Sequence, residues 1–154
     1  MDPFMRRAIE LAVDNVRAGR GGPFAAVVVR NGDVLAEGTN LVTSANDPTA
    51  HAEVVAIRDA CRKAGHFELR GCEIYATCEP CPMCLGAIYW SRLDRIYYAA
   101  TRKDAAAAGF DDSFLYDEVA LTLDKRSISM EPLMRMESLA AFEAWRQKAD
   151  KIVY

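Results

Sequence analysis

Two short stretches restrict what this chain can fold into more than any other feature: Thr49-Ala50-His51-Ala52-Glu53, and Cys78-Glu79-Pro80-Cys81-Pro82-Met83-Cys84 further on. They offer one imidazole, at least two thiols and a carboxylate to spare. That is the inventory of a zinc site with an open coordination position and a proton shuttle beside it. Any fold using it must bring both stretches to one point. Residues two apart on a helix point roughly 200° away from each other, so His51 and Glu53 cannot share a mid-helix face. They converge only off a helix end, which places an N-terminus at the metal. Cys81 and Cys84, three apart, do share a face, and Pro80 suits the start of a second helix. Two helix N-termini then aim their positive ends at one site and favour thiolate over thiol.

A different use of the cysteines stays open. Cys78, Cys81 and Cys84 also read as C-x2-C-x2-C, which suits a cluster or a closed Cys3His structural zinc. Either would leave Glu53 and the helix-end geometry without a role. A disulfide here is disfavoured, because nothing marks the chain as secreted. Cys61, in a helical pattern, and Cys72, at a strand start, are expected to be buried thiols.

Along the chain, Asp2-Pro3 reads as an N-cap and first turn. Ile9, Leu11, Ala12, Val13 and Val16 follow at helical spacing until Gly19 and Gly21. Phe24 to Val29 is a short apolar strand of the kind buried on both faces. Asn31-Gly32 is a hairpin turn into a second strand, Val34 to Gly38. A loop over 41–48 leads to a helix from near Ala50, carrying Val54, Val55, Ile57 and Ala60 to the core. Then come strand Glu73 to Thr77, a helix after Cys81 through Leu85, Ala87, Ile88 and Trp90, and strand Arg95 to Ala100. Lys103 to Asp112 is less regular, and Ser113 to Val119 is a short helix. Ile128 to Leu133 is read as a fifth strand, kept to an edge by Pro132. The closing helix, Leu139 to Ala149, puts Leu139, Phe142, Trp145 and Ala149 on one face.

This order predicts an α/β chain: a three-layer α/β/α sandwich on a five-stranded mixed sheet. The first two strands pair antiparallel and crossovers make the rest largely parallel. The 154 residues are expected to form one domain, 1–154, burying roughly 70% of the unfolded surface. Both metal-bearing segments begin helices, where sites form in such sheets, at strand C-terminal ends. The net charge of −3 weighs against a nucleic-acid partner. The start, Met1-Asp2-Pro3-Phe4, carries no secretory pattern, and the longest apolar run is too short to span a bilayer. A cytoplasmic protein with no membrane association is therefore expected.

These residues resemble the cytidine deaminase superfamily, whose signature is H-x-E followed by P-C-x-x-C. Within it the likeness is to the purine-acting branch, the guanine deaminases in particular, over almost the whole chain. Its landmarks are Gly21-Gly22-Pro23-Phe24, Asn46 to Glu53, Cys78 to Cys84, and Ala108-Gly109-Phe110-Asp111-Asp112. Asp47 to Glu53 is equally like the tRNA adenosine deaminases, so it does not choose between the two. Gly109 to Asp112 and the terminal Tyr154 look like the guanine branch.

The resemblance implies a cytidine deaminase-like fold, Zn²⁺ held by His51, Cys81 and Cys84, and catalysis by Glu53. It implies that Asn40 hydrogen-bonds the purine edge, unless it is only a strand-end turn residue. It implies that Asp112 is a second carboxylate near the departing amino group, unless it is a loop or capping Asp. Phe24 and Trp90 flank the base on this view, or belong to the core. The implied reaction is hydrolytic deamination of guanine to xanthine, with a small purine base as partner. A homodimer is implied too. A tail over the purine would offer Tyr154 as a hydrogen-bond partner, against the simpler view of a frayed end. Tails exchange easily, and the Tyr154 over one site would then be the partner chain's. Two rival functions stand beside this. A tRNA adenosine deaminase shares the chemistry but needs a basic surface. A deaminase-fold binding protein with structural zinc has no use for Glu53.

Overall fold

The computed structural model describes residues 1–154. Two compact units emerge, Met1–Ser113 and Phe114–Tyr154. The first opens with helix α1 (Pro3–Arg17), capped by the Asp2 side chain, which accepts from the Met5 amide at 2.8 Å. Strands β1 (Ala25–Arg30) and β2 (Asp33–Thr39) follow. Asn31 and Gly32 both take positive φ, 54° and 83°, the geometry a two-residue hairpin turn requires. Next come α2 (Val42–Ala45), α3 (Ala52–Ala64), β3 (Cys72–Cys78), α4 (Pro82–Trp90), β4 (Arg95–Ala100) and α5 (Arg102–Ala107).

The sheet has four strands in the order β2-β1-β3-β4. β1 runs antiparallel to both β2 and β3, and only β3 and β4 are parallel neighbours. The expected parallel remainder holds for β3 and β4, and the antiparallel β1–β3 contact is the pairing not anticipated. The β2–α3–β3 crossover does join two strands of the same direction, but β1 lies between them. One consequence fixes the site. The C-terminal ends of β2, β3 and β4 and the N-terminal end of β1 all meet at one end of the sheet, with Ala25 opposite Thr39 and Cys78 opposite Ala100.

β1 alternates between two cores. Ala26 and Val28 join Ala52, Ala56, Ile57, Ala60, Leu69, Ile74 and Ile88 on the α3/α4 side. Val27 and Val29 join Ala8 and Tyr75 on the α1 side. The three-layer expectation therefore holds for this unit. The helix faces are less simple than the apolar spacing suggested. α1 buries small and polar residues, Ala8, Ala12 and Asn15, while Ile9, Val13 and Val16 stay exposed. Across the sheet, α3 presses so closely on β2 that a Cβ at Gly38 would lie 2.3 Å from the Ala52 carbonyl oxygen.

The second unit holds most of α6 (Ser113–Ala120), a 3-10 turn (Leu123–Lys125) and α7 (Arg135–Gln147). The fifth strand expected over Ile128 to Leu133 does not form. Pro132 lacks the N–H a ladder needs, and Ile128 and Leu133 are 79% and 85% exposed. β-forming composition without a paired neighbour leaves the backbone irregular. No side chain from Phe114 to Tyr154 is buried. No helix is long and apolar enough to cross a membrane.

Candidate active site

Each of the two stretches is shaped locally before it meets the other. Asp47 accepts from the Thr49 amide at 2.8 Å and its hydroxyl at 2.7 Å, folding Asp47-Pro48-Thr49 into a tight turn. The Thr49 hydroxyl holds the exposed Asp47 carboxyl below its ordinary range. His51 then caps α3 in extended conformation, with no side-chain capping bond of its own, so its ring is available for another task. On the other stretch, β3 ends at Cys78, and the Glu79 amide donates to the Ala100 carbonyl at 2.9 Å. Cys81, extended, caps α4 in the same manner. The proline inside the helix start is Pro82; Pro80, expected there, lies one residue before the cap. A cap position needs extended backbone, which the residue before a proline favours.

The two helix starts bring three ligand atoms together. His51 Nδ1 lies 3.6 Å from Cys81 Sγ and 3.5 Å from Cys84 Sγ. A tetrahedral zinc with bonds of about 2.05 Å to nitrogen and 2.3 Å to sulfur needs a nitrogen–sulfur separation of about 3.6 Å. The donor set and its spacing therefore fit Zn²⁺. Three protein ligands leave the fourth position open, as in hydrolytic zinc sites.

Charge follows from the same geometry. Cys84 hydrogen-bonds the Cys81 thiol and, with His51 beside it, pushes its pKa down to about 4 despite burial. Cys84 is correspondingly pushed up, by that hydrogen bond first and by burial next. His51 is raised, chiefly by its hydrogen bond to Cys81. Glu53, in the first turn of α3 and 8% exposed, lies beside the cluster and is raised mainly by burial. Cys78 is engaged elsewhere: its thiol donates to the Thr101 carbonyl at 3.6 Å, and burial pushes its pKa up to about 11. The cluster of potential ligands is His51, Cys81 and Cys84, without Cys78.

The wider ring of expected residues divides. Asn40, at the end of β2, is buried, and its side-chain oxygen accepts from the amides of Gly22 and Val42, both at 3.3 Å. Phe24 enters β1 and packs edge-to-face on Phe110, with centroids 5.0 Å apart. Phe110 belongs to the Gly109–Asp112 loop, which begins with Gly109 at φ 92°. Asp112 feels the Cys81 charge and is felt by His51; burial first, then Cys81, raises its carboxyl. Trp90 is not brought to the cluster. It ends α4, 64% exposed, with Arg92 over its ring, about 13 Å of helix rise from Cys81. Tyr154 is 71% exposed at the end of the second unit. Cys72 is buried, and Cys61 is only half-buried, packed at the edge of the core.

Two residues with a place here were not singled out as site residues. Phe110 was one landmark among several, and its aromatic partner is visible only in space. Asn15 is fully buried and donates to the carbonyls of Gly22 and Asn40 at 3.0 and 2.9 Å. Its signal was available: an amide on the same helical face as Ala8 and Ala12.

Comparison with known proteins agrees with this geometry. Residues 1–100 match the family described as cytidine and deoxycytidylate deaminase zinc-binding region. The chain is 52% identical to guanine deaminase of Bacillus subtilis (strain 168), over 99% of this chain and 98% of that protein. A crystal structure of guanine deaminase from Bacillus subtilis superposes with a TM-score of 0.97, covering 100% and 99% of the two chains. A structure of guanine deaminase from Nitrosomonas europaea gives 0.68 at 34% identity, covering 91% of this chain and 72% of that one. A tRNA-specific adenosine deaminase of Aquifex aeolicus is 42% identical over 53% of this chain and 54% of its own.

Proposed function

The chain belongs to the cytidine and deoxycytidylate deaminase zinc-binding family, and from that premise we propose that it hydrolyses guanine to xanthine and ammonia. The observation that carries this is the His51–Cys81–Cys84 cluster beside buried Glu53, in a chain that matches a guanine deaminase end to end. A Zn²⁺ on those three ligands supplies Lewis acidity, lowering the pKa of water at its open position from 15.7 towards about 7.

The chain's own residues supply the rest. Glu53 takes one proton from the attacking water and delivers it to the ring nitrogen, then carries the second, from the hydroxyl that the attack leaves on carbon 2, to the amine as its C–N bond breaks. Its place on α3, two residues past the ligand His51, sets it beside the metal without making it a ligand. Asn40 Nδ2 donates to an acceptor on the purine edge, since its oxygen is already taken by two amides. Asp112 stands near the leaving amino group and stabilises its cationic form. Phe24, braced by Phe110, packs against the flat base. Trp90 lies well down α4, so a part for it requires approach from another chain.

We infer a single deaminase domain over 1–154 that works as a homodimer. The support is apolar surface: Phe114, Phe142, Ile152 and Tyr154 are each at least 60% exposed, and such residues in one unit call for a cover. Exchange of C-terminal segments would supply it and bring Tyr154 of one chain over the purine of the other. Five unpaired cysteines suit a reducing cytoplasm.

The direct test is ammonia release from zinc-loaded protein given guanine, an adenosine-bearing tRNA anticodon stem-loop, or cytosine. Guanine should be turned over and the other two should not, because a chain of net charge −3 lacks the basic footprint RNA binding needs. Adenosine-to-inosine conversion with salt-sensitive binding of the stem-loop would reverse the assignment.

A further inference from the structure

Every polar group of Asn40 but one is engaged. Its backbone N–H donates to the Phe24 carbonyl at 3.0 Å. Its backbone carbonyl accepts from Asn15 Nδ2 at 2.9 Å, and its side-chain oxygen accepts from the amides of Gly22 and Val42. That leaves Nδ2 as the group presented to a ligand. Asn15 does more than satisfy one carbonyl. The same Nδ2 donates to the Gly22 carbonyl at 3.0 Å, so one side chain fastens the loop after α1 to the end of β2. Its oxygen is fixed in turn by Arg20 Nε at 3.3 Å. Gly21 lets the loop close on this point: a Cβ there would lie 2.1 Å from the Asn40 carbonyl oxygen. An amide in the last turns of a helix, 0% exposed, is an unfavourable choice for helix formation and for burial alike unless its bonds are needed.

We propose that Asn15 is a positioning residue for purine recognition: by gripping the Gly22 and Asn40 carbonyls it aims Asn40 Nδ2 at the base. This rests on the guanine deaminase reading and adds a residue to it. A bond aimed a fraction of an ångström off loses most of its worth, because hydrogen bonds weaken steeply with angle and distance. Binding should suffer before chemistry does, since Asn15 touches none of the groups around the metal.

The test is a double-mutant cycle on zinc-loaded protein. Asn15→Ser should raise KM for guanine about tenfold, with kcat within about twofold and zinc content unchanged. It should weaken binding of hypoxanthine, a 6-oxopurine with no amine to lose, by a similar factor. In an Asn40→Ala background the same substitution should change hypoxanthine affinity less than about twofold, because Asn15 has no donor left to aim. Effects that add across the two backgrounds would reduce Asn15 to a structural residue and overturn the proposal. Should Asn15→Ser fail to fold, Arg20→Ala decides. It releases the Asn15 oxygen from the exposed side, and should raise KM about threefold in the wild type and not in Asn40→Ala. No change in the wild type would overturn the proposal. A wild-type protein that binds hypoxanthine but releases no ammonia from guanine would instead sink the functional reading.

Discussion

The carboxylate of Glu53 and the thiol of Cys78 make opposite claims on two residues that both sit beside the ligands. On the proposed mechanism Glu53 moves protons, so Glu53→Ala should keep one zinc per chain while guanine turnover falls by several orders of magnitude. Metal analysis beside a steady-state assay checks both halves, and loss of zinc would make Glu53 a ligand. Cys78 already donates to the Thr101 carbonyl, so Cys78→Ser should retain zinc. Cys81→Ser and Cys84→Ser should each lose most of it. Zinc stripped by Cys78→Ser would mean a closed structural site. At this scale the sequence was highly legible, because offsets of two and three residues around a helix start have few geometric solutions. The pairings of Asn15 with Asn40 and of Phe110 with Phe24 were not, because no local spacing marks them.

Among the elements, α3 and its strand carry the metal geometry. Gly38 lies where β2 passes under the first turn of α3, and a Cβ would sit 2.3 Å from Ala52 O and 2.5 Å from Ala56 N. These are backbone atoms, so Gly38→Ala must shift the helix that bears His51 and Glu53. We expect a loss of about 1–3 kcal/mol in urea unfolding together with weaker zinc retention against a chelator. Unchanged zinc retention would show that the helix start is held by the β3–α4 side alone. Strand and helix positions were readable where apolar runs meet hairpin or capping signals, and β4 falls at Arg95–Ala100 as expected. Helix α5 passed as irregular although Thr101 and Asp104 form a reciprocal capping box. Its alanine run carries no apolar face from which to infer packing. Strand order was not readable, because the β1–β3 pairing joins segments more than forty residues apart with no local marker.

For the whole molecule, the C-terminal unit was the least legible part. Apolar residues there suggested a strand and a packed helix, yet none of its side chains is buried. Composition states that surface must be covered without stating by what. If the tail closes the purine site, deleting residues 151–154 should leave zinc content and melting temperature nearly unchanged. Guanine turnover should drop at least roughly tenfold, about 1.4 kcal/mol of transition-state stabilisation. Mixing tail-deleted subunits with Glu53→Ala subunits then separates the arrangements. Regained activity means that tails are exchanged, and no regain means that each chain closes its own site.

The central claim is that the zinc held by His51, Cys81 and Cys84 is the working centre of a guanine deaminase. Titrating metal-free protein with Zn²⁺ while following guanine turnover tests it most directly. Activity should be absent at the start, rise linearly, and break sharply at one zinc per chain. Turnover without added metal in verified zinc-free protein, or full zinc occupancy without turnover, would contradict the account.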